Sequence, residues 1–146
     1  MIFAINRFLR LSSQRRSLLI KSFFLLPTID VLLRVAGYNR ARKLLLKSCL
    51  SVRPLPASQA QMVRDVAWAV LTASRRGALR ATCLRRSLLI AHLLHCRGIS
   101  AEIQFAARRG QKGFEAHAWV ESQGKVVGDS PTIGDYFTKL SGSRSN

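Results

Sequence analysis

Gly98 divides the chain into two kinds of hydrophobic pattern, and that change bounds the fold more tightly than any other feature. Before it, apolar residues recur at helical spacing. In "QAQMVRDVAWAVLTASRR" (59–76), Met62, Val66, Ala69, Val70 and Ala73 fall along one face. Ser58 and Gln61 make a capping box ahead of this run, and Gly77 ends it. In "ATCLRRSLLIAHLLHCRG" (81–98), Thr82 is the N-cap, Leu84, Leu88, Ala91 and Leu94 share a face, and Gly98 closes the helix. After Gly98 the period becomes two. "SAEIQFAA" (100–107) reads as a strand, "RRGQKG" as a loop, "EAHAWVE" (115–121) as a second strand and "KVVGD" (125–129) as a third. Helices followed by a meander of strands define an α+β fold.

The 146 residues suit one domain with a helical extension. Residues 14–50 read as two or three short helices, with Pro27 interrupting the first and Gly37 supplying a stop. "SVRPLPAS" (51–58) is the linker. The expected division is therefore a basic amphipathic segment with linker over 1–57 and a second domain over 58–146. Lys21, Asp30 and Arg34 interrupt the apolar run near the N-terminus well short of the roughly 20 residues a membrane span needs. Packing on the domain is expected, with peripheral membrane contact as a secondary reading.

The net charge of +17 calls for an anionic partner, be it nucleic acid, lipid or an acidic peptide. Its basic residues are scattered and only 8% of the chain is aromatic, which disfavours a nucleic-acid module, so no nucleic-acid partner is expected. Cys49, Cys83 and Cys96 are an odd set without a CxxC pair, so free thiols in a reducing, cytoplasmic setting are expected rather than a disulfide. The spacings of Cys83, His92, His95 and Cys96 match no standard zinc site, and no cofactor is expected.

One constellation carries chemistry. A three-residue loop of Ser122, Gln123 and Gly124 would pair Glu121 with Lys125, Trp119 with Val127, and His117 with Asp129. A two-residue loop would instead set His117 opposite Ser130, with Asp129 on the other face. The first register gives three sensible pairs and is the expected one. An aspartate beside a histidine fixes the imidazole tautomer and stabilises the imidazolium. Cys83 completes the set because it opens a helix, where the dipole and Arg80, Arg85 and Arg86 favour a thiolate. Cys96 ends that helix, where the dipole opposes a thiolate. His92, His95 and Ser87 read as structural residues. Ser130 and Asp135 could replace Asp129 chemically but do not fit the register.

The run "CLRRSLLIAHLLHCRGISAEI", a short basic loop, "AHAWVE" and a strand ending in Asp resemble the transglutaminase-like leader peptidases of lasso peptide biosynthesis. The resemblance covers residues 58–130. It implies a transglutaminase-like or papain-like cysteine protease with a triad of Cys83, His117 and Asp129. The activity implied is removal of the leader from a ribosomal precursor peptide, so that an asparagine-synthetase-like macrocyclase can close the core ring. Where members of that family often carry a Gly-Val pair, this chain has "QFAARR". Nothing in residues 1–57 resembles a leader-recognition domain, so a split enzyme with a separate leader-binding protein is expected. The alternatives are a basic helical nucleic-acid-binding protein and a non-hydrolytic scaffold.

Overall fold

The structure is a computed structural model that describes residues 8–49, 58–77, 81–111 and 113–140. Most of the expected linker, and Arg80, lie outside these residues. Three main helices precede the sheet: α1 (Ser13–Lys47), α2 (Gln59–Arg76) and α3 (Cys83–His95). The sheet comprises β1 (Glu102–Gly110), β2 (Gly113–Ser122), β3 (Lys125–Val127) and β4 (Thr138–Lys139), with the short helix α4 (Ile133–Tyr136) before β4. Strand order is β3-β2-β1-β4 and every pairing is antiparallel. The α+β architecture is the expected one.

The N-terminal segment follows its sequence reading at Gly37 and departs from it at Pro27. The 35 residues of α1 are two helices that meet at a kink at Gly37. Pro27 lies inside it with its ring exposed. A mid-helix proline costs about 3 kcal/mol, but Leu18, Leu19, Leu26 and Ile29 on the opposite side are buried in the core, and that packing keeps the path helical. Gly37 is where the path does bend, at φ 73° and ψ 171°. The stop expected there is present, as the break between the two helices.

α2 buries Met62, Val66, Ala69, Val70 and Ala73, the face marked by its periodicity. Ser58 caps it by accepting from the Gln61 amide, as half of a capping box would. The Gln61 side chain turns instead to Asp65, donating at 2.8 Å. α3 is buried on more sides than one stripe: Leu88, Leu89, Ile90, Leu93 and Leu94 are all in the core. It lies between α1 and α2 on one side and β2 on the other.

Polar ties fix these layers. Buried Asp65 accepts from Arg15 (2.8 Å) and Gln14 (3.0 Å), joining α2 to α1. Buried Asp30 pairs with Arg85 and with Arg34, joining α1 to α3. Cys49 and Cys96 form a disulfide across 47 residues, with their Cα atoms 4.9 Å apart. This corrects the expectation of three free thiols. Sequence spacing conceals the pair, because only packing brings the end of α1 against the end of α3. His92 sits beside them, donating from Nδ1 to the Leu45 carbonyl at 2.9 Å. Burial lowers its pKa, partly offset by that hydrogen bond.

Candidate active site

Cys83 is the first residue of α3. Thr82 caps that helix by accepting from the Arg85 amide at 3.4 Å, as its sequence position implies. With the other two cysteines bonded, Cys83 is the free cysteine of the described chain, and it is half-buried. The amides at a helix start lack intrahelical partners and carry the positive end of the dipole. Of the arginines expected around it, Arg85 turns to Asp30, while Arg86 lines the same recess as Cys83.

His117 lies on β2, opposite Ala106 of β1. Its Nε2 atom is 2.7 Å from Asp129 Oδ2. The expected pair is therefore made, but the expected register is not. β2 and β3 pair Val120 with Val127, Glu121 with Val126 and Ser122 with Lys125, around a two-residue turn. Gln123 (φ 51°) and Gly124 (φ 72°) both adopt left-handed backbone, the signature of a type I′ hairpin that matches strand twist. Strict alternation would then have carried Asp129 to the wrong face.

Gly128 resolves this. β3 ends at Val127, and Gly128 turns the chain at φ 76°. A Cβ built there would stand 2.6 Å from Ile90 Cδ1, so α3 leaves it little room. Released from the ladder, Asp129 reaches His117 from beyond the strand end, and its other oxygen accepts from the Ser130 amide at 2.8 Å. Ser130 thus supports the carboxylate rather than replacing it.

Cys83, Ser87, Ile90, Ala118, Gly128 and Asp129 are among the residues that line one small recess between α3 and the β2–β3 hairpin. Buried Ser87 donates to the Ala118 carbonyl at 3.0 Å. That bond ties the second turn of α3 to the residue after His117, setting the thiol helix against the imidazole strand. The Cys83 thiol makes no hydrogen bond to His117 or to any other described residue. Asp129 takes Nε2 of His117, so Nδ1 is the nitrogen left for proton exchange.

Two aromatic rings enclose the imidazole. Phe137 stacks on His117 with centroids 5.3 Å apart, and Trp119 lies 6.1 Å away on the same strand. Arg108 covers Phe137 in turn, 4.8 Å from its centroid. Glu121, on the same side of β2, accepts from Trp119 Nε1 (3.0 Å) and from Lys139 (2.9 Å). Burial works to raise the Glu121 pKa, but these hydrogen bonds and the Lys139 charge outweigh it, so the pKa is lowered. The expected partner of Glu121 was Lys125; Lys139 of β4 takes that place. Gly128, Phe137 and Ser87 were not singled out as site residues from sequence. Only Gly128 carried a signal, as a glycine directly before the candidate aspartate.

His92 and His95 stay apart from the recess; both line a different hollow near the end of α3. No described helix is long and apolar enough to cross a membrane. The model of the transglutaminase-like superfamily matches residues 25–142. No curated protein and no solved structure gives a significant match.

Proposed function

Because the chain belongs to the transglutaminase-like superfamily, we propose that it is a cysteine peptidase that removes the leader from a ribosomally made lasso peptide precursor. The observation that carries the reading is the His117–Asp129 bond beside a free cysteine at a helix start. In this mechanism His117 Nδ1 takes the Cys83 proton, and the sulfur attacks the carbonyl carbon of the scissile amide. The oxyanion of the tetrahedral intermediate is met by the Cys83 backbone N–H. The imidazolium, held by Asp129, returns its proton to the leaving amine. Water then attacks the thioester with His117 as base, releasing the leader acid and restoring the thiol. No metal or organic cofactor takes part in these steps.

Thiol and imidazole are not hydrogen-bonded in the free protein, and such contacts often tighten only when substrate binds. The recess is small, so it grips little of an extended peptide. Ordering a flexible substrate costs binding free energy, which supports a separate leader-binding protein. The cleaved product would pass to an asparagine-synthetase-like macrocyclase. The test is mass spectrometry of a precursor incubated with the protein and a leader-binding partner. A single cut at the leader–core junction, absent with Cys83→Ala, supports the reading. An intact precursor, or equal cleavage by the Cys83→Ala variant, overturns it.

A further inference from the structure

At the far end of α3 from Cys83, three donor side chains converge. Cys49, His92 and Cys96 each offer a ligand atom, and these atoms all lie within 4.8 Å of one another. His92 is buried, and its Nδ1 donates to the Leu45 carbonyl at 2.9 Å. A carbonyl can only accept, so the proton is on Nδ1 and the lone pair of neutral imidazole is on Nε2. Orientation of a metal-binding histidine by such a bond is the usual second-shell arrangement. Both sulfurs stand 3.7 Å from Nδ1, and Cys96 Sγ is also 3.8 Å from Nε2. With Nδ1 committed to Leu45, Nε2 is the ring atom left for a metal.

We infer that the reduced protein holds one zinc ion between the thiolates of Cys49 and Cys96 and the Nε2 atom of His92, and that the disulfide is this site's oxidised state. Two thiolates and an imidazole are a donor set suited to Zn²⁺, which binds sulfur at about 2.3 Å and nitrogen at about 2.0 Å. Sulfurs sharing one tetrahedral zinc stand about 3.7 Å apart, the distance these bond lengths give, so reduction must let the pair separate. Cys49 follows the end of α1 and Cys96 caps α3, so neither sulfur lies mid-helix, where the backbone would resist that movement. Two thiolates also neutralise the ion, which matters in a chain of net charge +17 with Arg42 and His95 lining the adjoining hollow. Water fills the fourth position.

The chemistry balances. A small-molecule dithiol or two monothiols reduce the disulfide, giving two cysteine thiols and an oxidised external disulfide. Zinc then displaces two protons from these thiols. The spacing reading missed this cluster because it grouped Cys96 and His92 with Cys83 and His95. Cys49, which is 43 residues from His92, is the ligand that folding supplies.

The test uses the full chain, reduced with a phosphine and freed of metal, titrated with Co²⁺ and then displaced by Zn²⁺. Thiolate-to-cobalt charge-transfer bands and tetrahedral d–d bands at one equivalent are expected for the reduced wild type and for Cys83→Ala. The disulfide form should show none, and His92→Ala should weaken binding about tenfold or more. Absence of these bands in the reduced wild type overturns the inference. So does their persistence in the Cys49→Ser/Cys96→Ser variant or in the disulfide form, and so does their loss in Cys83→Ala. The oxidised and reduced wild types share one sequence, so a variant that fails to fold does not blunt the comparison. None of these readouts depends on peptidase activity.

Discussion

Cys83, His117 and Asp129 make different demands on their surroundings, and single substitutions should separate them. Cys83→Ala should abolish cleavage and change stability by less than about 1 kcal/mol, because a half-buried helix-opening thiol contributes little packing. Asp129→Asn should lower kcat by about two to four orders of magnitude, since the imidazole then loses the carboxylate that holds its tautomer and its positive charge. Single-turnover kinetics on a precursor, with melting curves beside them, check both. Retained cleavage by Cys83→Ala would remove it as nucleophile. Gly128 serves the site without offering any group to it. Gly128→Ala forces a side chain into left-handed backbone and toward Ile90, so it should cost about 1 kcal/mol or more. It should also slow cleavage by displacing Asp129. A variant as stable and as active as the wild type would show that the turn is not needed. The His117–Asp129 contact and the start of α3 at Cys83 were readable because a His–Asp spacing and a Thr cap each carry a local signal. The register was not. Two hairpin lengths differ by one residue, and the pairs that look best on paper lost to a Gln-Gly turn that matches strand twist.

Among the elements, α2 and α3 were legible because each keeps one apolar period between a cap and a glycine. In α1 the break at Gly37 was legible but the passage through Pro27 was not, because proline is a local signal and the burial of Leu18 and Ile29 is a tertiary one. β4 is two residues long and has no periodicity to read. The Cys49–Cys96 link was hidden for the same reason as the helical path through Pro27: both depend on tertiary packing, here of two helix ends. Closing a loop of this size removes unfolded-state entropy worth about 4 kcal/mol. Reducing the bond in a metal-free buffer should therefore lower the melting temperature by on the order of 10 °C. Calorimetry with and without a phosphine reads this directly. An unchanged melting temperature would mean that helix packing alone sets the stability of this end of the fold.

At the scale of the whole molecule, the acidic residues are largely taken up in intramolecular pairs. Asp30, Asp65, Glu115 and Glu121 each pair with a cation, and Asp129 faces His117. With 24 basic residues against 7 acidic ones, the excess charge gives the protein a positive field. Under the proposed function, that field suits an acidic leader or the surface of a leader-binding partner. The protein alone should cut its precursor slowly, and a leader-binding partner should restore the rate by making the second encounter intramolecular. The stimulation should weaken as salt rises. Equal rates with and without the partner would refute this. The walls around His117 are unequal in build. α3 is buried along most of its length and bonded to its neighbours near both ends. The opposite side, α4 with β4, is exposed and paired over only two residues. In hydrogen–deuterium exchange, α3 amides should open only with global unfolding, whereas those of 133–139 should exchange through local opening. The cleft then breathes from one side. Under the proposed function, such an opening would lift Phe137 off the imidazole while Cys83 stays fixed on α3, and the peptide would enter over the ring.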